Sequence, residues 1–259
     1  MKITTIDLNC DMGESYGPYK LGQDETLIRL ISSANVGCGF HGGDPHVMRT
    51  TVAMAKENGV GVGAHPGLPD MLGFGRRKMD ISPQELEDFF VYQIGALKAF
   101  CAAADIQLQH VKAHGVLSGM AEADLDVATA ICRAIAMVDT NLIWLTYAGT
   151  KTRDIAESLG LTVVEEFYVD RAYNADRTLV SRKIEGAVIK DPAEVKDRMT
   201  QLFAEGTVTA RDGTVLEMNC QSICVHGDTP GAVDFVKQVR SVLAENSVDI
   251  RPMREILGG

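Results

Sequence analysis

No stretch of this sequence is apolar for long enough to span a bilayer. The longest strongly apolar run, Leu142 to Ala148, falls far short of the roughly 20 residues a membrane helix needs. A secretory leader is missing as well. The first lysine is followed closely by Asp7, Asn9 and Asp11, with no apolar core or small-residue cleavage site, so cytoplasmic residence is expected. Basic runs end at three residues, as in Arg76-Arg77-Lys78, and 25 Lys and Arg against 35 Asp and Glu leave a net charge of −10. That balance removes the footprint of a nucleic-acid-binding surface. The six cysteines, at positions 10, 38, 101, 132, 220 and 224, contain no C-x-x-C pair. Several lie in apolar contexts, which favours buried thiols over disulfides or a zinc knuckle.

Several enzyme signatures are absent too. Gly149-Thr150-Lys151-Thr152 lacks the spacing of a G-x-x-x-x-G-K-[ST] phosphate loop, and no G-x-G-x-x-G opens a helix with a partner acid downstream. Gly59-Val60-Gly61-Val62-Gly63 reads as a strand. Neither H-E-x-x-H nor G-x-S-x-G occurs, so zincin and nucleophile-elbow chemistry have no support. What remains is carboxylate and imidazole chemistry, with or without a metal. With 25 Gly and 8 Pro among 259 residues, 46% of them apolar, the chain is an ordinary globular one able to bury a sizeable core. A single domain over 1–259 is expected, since no linker or fixed-period repeat interrupts it.

Four segments open with a side-chain cap followed by proline: Asp44-Pro45, Ser82-Pro83, Asp191-Pro192 and Thr229-Pro230. The cap oxygen can accept an orphan N–H, and proline at the first helical position gives up a donor that has no helical partner. Glu85 and Glu194 are placed to complete capping boxes. These starts predict helices over 44–58, 82–104, 191–205 and 229–246, with further helices over 22–32, 121–138 and 150–159.

Between them lie runs of period two whose two faces differ. Ile6, Leu8 and Cys10 oppose Asp7, Asn9 and Asp11; His110, Lys112 and His114 oppose Val111 and Ala113; Ser222, Cys224 and His226 oppose Ile223 and Val225. The runs at 34–41 and 60–65 behave alike, ending in His41 and His65. With 142–147 and 162–168 they make seven strands separated by helical sequence, which predicts an α/β fold with a parallel sheet. Strands of an open sheet covered on both faces read apolar on both sides. A (β/α) barrel of about seven strands, its inner face polar, accounts for the asymmetry.

Five of these strands end in polar, glycine-flanked sequence, carrying Asp11 and Glu14, His41 and Asp44, His65, Lys112 and His114, and His226 and Asp228. In barrels that edge holds the ligand. Four of the 6 histidines therefore occupy equivalent positions, which argues for one shared site. Asp44 also has a structural use as a helix cap, and Asn9 and Asp7 lie deeper, suited to holding a carboxylate or a histidine tautomer. Lys112 inside a barrel requires a carboxylate or an anionic ligand. Asp170-Arg171, after the sixth strand, supplies a second cation suited to a carboxylate or phosphoryl group. A small anionic substrate is expected.

The stretches IDLNCDMGES (6–15), SANVGCGFHGGDPHVMR (33–49), GVGAHPGLPD (61–70), GFGRR (73–77), YQIGAL (92–97), DRAY (170–173) and ICVHGDTPGAV (223–233) resemble the LamB/YcsF family, the A subunits of bacterial 5-oxoprolinases. The resemblance spans nearly the whole chain. It implies a seven-stranded barrel of the glycoside hydrolase/deacetylase type and a cyclic-amide hydrolase that opens 5-oxoproline to L-glutamate. ATP is the implied co-substrate, and B and C subunits are the implied partners. Motif by motif it carries over Asp11, Glu14, His41, Asp44, His65, Lys112, His114, Asp170, Arg171, His226 and Asp228 as site residues, His46 and His110 less directly. Asp11, Glu14, His41, His65, His114 and His226 are the catalytic candidates; Asn9, Asp44, Lys112, Asp170, Arg171 and Asp228 are the substrate-binding ones. One departure is clear: where the family reads K-P-H-G-x-L-Y-N, this chain has Lys112-Ala113-His114-Gly115-Val116-Leu117-Ser118-Gly119. Two other readings stay open on sequence, a divalent-metal amide hydrolase or deacetylase and a non-catalytic substrate-binding subunit. Homo-oligomerisation and the identity of any metal also stay open.

Overall fold

The computed structural model describes residues 3–149, 152–227 and 231–258. In chain order the strands are β1 (Thr5–Met12), β2 (Ser33–Gly37), β3 (Gly61–His65), β4 (Leu108–Lys112), β5 (Ile143–Tyr147), β6 (Thr162–Tyr168), β7 (Thr207–Thr209), β8 (Val215–Glu217), β9 (Ser222–Val225) and β10 (Asp249–Ile250). β1 to β6 and β9 pair in parallel, each with the next, and β9 returns to β1, where Asp7 lies opposite Ser222 and Asn9 opposite Cys224. The sheet closes into the seven-stranded barrel that the one-sided polarity predicted. β7 and β8 form a separate antiparallel hairpin, and β10 adds two residues beside β1. Neither was expected, because two or three residues are too few to show a period.

The helices are α1 (Asp24–Leu27), α2 (Pro45–Asn58), α3 (Pro83–Ala103), α4 (Val116–Ala123), α5 (Leu125–Val138), α6 (Thr152–Ser158), α7 (Pro192–Glu205), α8 (Ala232–Glu245) and α9 (Met253–Ile256). Asp44 accepts the N–H groups of His46 and Val47 to open α2, and Ser82 and Glu85 form a reciprocal capping box at α3. Asp191 opens α7 by accepting from Ala193, and the box expected from Glu194 does not form. The helix expected over 121–138 is broken at Asp124, whose carboxylate accepts from Asp126 and starts a new helix. That expected over 22–32 shrinks to the single turn of α1. The start expected at Thr229-Pro230 lies outside the described residues. No helix among the described residues is long and apolar enough to cross a membrane.

Outside the barrel, Ile6, Leu8, Val36, Val62, Val111, Phe167 and Ile223 are buried in one core shared with the helices. Inside, the period of two puts polar residues in the same layers: Asp7, Asn9, Asn35, His110, Lys112, Glu166 and Ser222 are all buried. A small apolar cluster of Ile143, Leu145, Val164 and Met253 closes the interior from the α9 side. Gly63 in β3 has no side chain because the His110 ring lies against it; a Cβ there would collide with the imidazole. All six cysteines are buried and free.

Asp7 makes the polar interior measurable. It accepts hydroxyl protons from Ser32, Ser33 and Ser222. Burial nevertheless raises its carboxyl from 3.8 to about 6, the hydroxyls offsetting only part of the desolvation. The folded chain holds this proton where the unfolded chain has already lost it, so stability from this group is greatest below about pH 4 and falls as pH rises through 6. At neutral pH the penalty is about 3 kcal/mol, two pH units at roughly 1.4 kcal/mol each. Asp7→Asn is expected to remove that slope. Urea unfolding at several pH values between 4 and 7 tests it, and parallel stability profiles for the two proteins would refute the assignment.

Candidate active site

The C-terminal ends of the strands open on a cavity of about 600 Å³. Its walls carry Asp11, His65, Lys112, His114, Tyr147, Tyr168, Arg171 and His226, and Arg76, Lys78, Arg182 and Lys183 surround them. Among the described residues, six cations and one carboxylate therefore line the cavity of an acidic protein. Ser118 and Gly119 are part of the same wall. Gly119 faces open space, and Ser118 donates to the Ala113 carbonyl.

At the floor, Lys112 reaches up from β4. Its Nζ lies 3.1 Å from Asp11 Oδ1 and 3.2 Å from Glu166 Oε2, and donates to Asn9 Oδ1 at 3.2 Å. Burial alone lowers the ammonium pKa, but Asp11, Cys224 and Glu166 outweigh it and hold Lys112 well above its ordinary value. Asp11 shows the converse. Burial pushes its carboxyl up, while His65 and Lys112 bring it well below the usual range. Asn35 donates to the same Asp11 oxygen at 2.8 Å. Glu166 is fixed by Asn9 and by the Tyr168 hydroxyl, which donates to Oε1. Neither motif nor strand-end position had singled out Glu166, Tyr147 or Tyr168. The signal was present in part, since a glutamate pair interrupts an otherwise apolar and aromatic strand.

A second group sits beside the first. The loop after β2 folds back onto the loop after β1, and Gly43 permits the approach: it has φ +83, and a Cβ there would come within 2.8 Å of the Gly13 and Gly37 carbonyls. His41 and Glu14 are brought together, with His41 Nε2 2.9 Å from Glu14 Oε1. His65 Nδ1 lies 2.8 Å from the Lys112 carbonyl, and His114 Nε2 lies 2.8 Å from the Phe74 carbonyl. Their other nitrogens meet at 3.0 Å. The His41 and His114 rings stack at 3.5 Å. Burial, then the neighbouring imidazoles, hold both His41 and His114 well below the ordinary histidine value, so the stack is neutral.

His226 forms a third group. Its Nδ1 donates to Asp170 Oδ2 at 2.6 Å, which leaves Nε2 to meet a ligand. Burial raises the Asp170 carboxyl, but the His226 ring and its hydrogen bond outweigh it and hold the carboxyl below its ordinary value. Asp170 thus backs His226 and is not among the residues lining the large cavity. Arg171 does line it, with Nε and Nη2 donating to the Ala187 and Val180 carbonyls. Asp44 does not: besides capping α2, it accepts the Gly17 N–H at 2.8 Å and ties down the loop after β1. Asn9 lies under the cavity, bonded to Glu166 and Ser222. His110 is beneath it too, 2.7 Å from Asn35 Oδ1, and His46 is exposed on α2. Asp228 lies outside the described residues.

The LamB/YcsF family profile matches residues 6–258. The A subunit of the 5-oxoprolinase of Natranaerobius thermophilus is 50% identical over 248 residues, 96% of each chain. That of Pyrococcus abyssi is 47% identical, over 98% of this chain and 99% of the relative. Among solved structures, the lactam utilization protein of Thermus thermophilus superposes with a TM-score of 0.90 at 41% identity, covering 96% of this chain and 100% of that one. A profile match over nearly all residues, near-half identity over whole chains and a shared barrel give one conclusion: the chain belongs to the LamB/YcsF family.

Proposed function

We propose that this chain is the barrel subunit of a 5-oxoprolinase, which with B and C subunits opens 5-oxo-L-proline to L-glutamate at the expense of ATP. The observation that carries the reading is the cavity itself, a cationic pocket on which an Asp170–His226 pair and the Asp11–Lys112 pair converge. The relatives named as 5-oxoprolinase A subunits and as a lactam utilization protein support the substrate class.

A five-membered lactam is a stable amide, and its carbonyl carbon needs activation before water attacks. Phosphorylation of the lactam oxygen by ATP supplies it. Water then adds at that carbon and the C–N bond breaks with protonation of the ring nitrogen, leaving a γ-glutamyl phosphate that a second water hydrolyses to L-glutamate and inorganic phosphate. The sequence carries no G-x-x-x-x-G-K-[ST] phosphate loop, which supports a reading in which the partners handle ATP. This chain's residues then hold the lactam or its phosphorylated form. Arg171 and the cations around it meet the carboxylate and phosphoryl charge. His226 Nε2 takes the proton of the attacking water and returns it to the departing nitrogen, while Asp170 holds the ring and its tautomer. Asp11, kept ionised, is too weak a base for that proton; it fixes Lys112 and faces His65.

Release of glutamate and ADP from 5-oxoproline and ATP, measured for this chain, for the partners and for the mixture, tests the reading. Glutamate is expected from the mixture alone. Glutamate formed by the partners without this chain, or ATP-independent amide hydrolysis by this chain alone, would overturn it.

A further inference from the structure

We propose that Glu14, His65 and His114 bind one divalent transition-metal ion, with His41 holding the Glu14 carboxylate in place. Two backbone carbonyls set the histidine tautomers. The Lys112 oxygen lies 2.8 Å from His65 Nδ1 and the Phe74 oxygen 2.8 Å from His114 Nε2. A carbonyl only accepts, so each ring carries a proton on that side. The opposite nitrogens, His65 Nε2 and His114 Nδ1, face each other at 3.0 Å, and Asp11 Oδ2 lies 3.5 Å from His65 Nε2. Both rings are buried at the wall of the large cavity. A cation between the two nitrogens is met by an imidazole on each side.

Glu14 supplies the third donor, its Oε1 3.4 Å from His114 Nδ1. The donor atoms of Glu14, His41, His65 and His114 all lie within 4.8 Å of one another. Zinc bound tetrahedrally at about 2.0–2.1 Å has donor-to-donor edges of roughly 3.3 Å, close to the separations of 3.0 and 3.4 Å found here. His41 does not share the ion with His114. The two rings are parallel to within 3°, stacked at 3.5 Å, so their in-plane lone pairs cannot converge on one point. His41 Nε2 instead donates to Glu14 Oε1 at 2.9 Å, the outer hydrogen bond that orients a ligating carboxylate.

Two imidazoles and one carboxylate favour Zn²⁺ or a neighbouring transition metal over Mg²⁺ or Ca²⁺, which prefer oxygen-only sets. Because His65 and His114 line the large cavity, the remaining coordination position opens toward it. An open fourth position is the pattern of catalytic zinc sites.

The site is independent of the reaction proposed above, so its test uses no substrate. The full chain is freed of metal by chelation and titrated with Zn²⁺ by calorimetry and with Co²⁺ by visible absorption. One ion per chain with micromolar or tighter affinity is expected, with a d–d band typical of low coordination number. His65→Ala and His114→Ala, checked for folding by circular dichroism, are each expected to weaken binding roughly tenfold or more. His46→Ala, on the exposed surface of α2, is expected to leave it unchanged. Failure of the unaltered chain to take up either ion at millimolar concentration would overturn the proposal, whether or not the variants fold. So would affinity unchanged in folded His65→Ala and His114→Ala proteins.

Discussion

Replacing Lys112 by methionine is expected to lower the unfolding free energy by about 3–5 kcal/mol at neutral pH, the cost of breaking a buried ion pair from one side. Lys112 is the common partner of Asp11 and Glu166, and all three side chains are buried or nearly so. Methionine fills the volume of the lysine stem, so the loss reports charge rather than a cavity. Without the ammonium two carboxylates remain in one dry compartment, and like charges there push one of them toward its protonated form. The folded variant then binds a proton that its unfolded chain releases at neutral pH, so its stability deficit should shrink as the pH is lowered toward 5. Glu166→Gln in the same chain removes one of the stranded charges and should return a substantial part of the loss. Urea unfolding of the single and double variants measures both effects. A loss below about 1 kcal/mol, the range of surface pairs, would show that the network is solvated and weak.

That network also marks the limit of what residue order reveals. The barrel was legible because Asp7, Asn9 and Asp11 alternate with Ile6, Leu8 and Cys10, and the same contrast recurs in β4 and β9. One polar face inside a ring of helices has few architectures available to it. Strand ends carrying histidine marked the mouth for a similar reason, since His65, His114 and His226 all reach the cavity. Glu166 escaped because Val163-Val164-Glu165-Glu166-Phe167-Tyr168 has matching faces. Valine, glutamate and an aromatic residue occur on both sides of the strand, so the pattern does not say which acid points inward. Glu165 accepts the Gly149 N–H, whereas Glu166 meets Lys112. Asp44 misleads in the other direction. Its sequence signal as a helix cap is complete, and its neighbourhood to His41 in the chain suggested a site role that its hydrogen bonds to Gly17, His46 and Val47 do not share. The tautomers of His65 and His114 were beyond reach altogether, because backbone carbonyls set them and residue identities do not.

Asp170→Asn is expected to reduce glutamate formation by the assembled enzyme by roughly 10²–10⁴-fold while leaving the fold intact. The substitution preserves shape and removes only the charge and one acceptor position. An asparagine can present its amide N–H₂ to His226 Nδ1, and that nitrogen must then accept rather than donate. The ring proton moves to Nε2, where the attacking water needs a lone pair, so the base is present but faces the substrate with the wrong tautomer. The charge that stabilises the imidazolium once it forms is lost in the same step. Such a defect should appear in kcat with KM little changed, because Asp170 stands behind His226 and does not line the substrate cavity. His226→Ala should match it in size, and the double variant should be scarcely worse than either single one, since the two residues act as a unit. Arg171→Lys provides the contrast. It keeps the charge but loses the fork held by the Ala187 and Val180 carbonyls, and should raise KM more than it lowers kcat. Steady-state kinetics of the four proteins in the presence of partners separates these outcomes. Activity of Asp170→Asn within twofold of the unaltered chain would remove His226 from the proton-transfer role and leave the pair as a structural tie between β6 and the loop after β9.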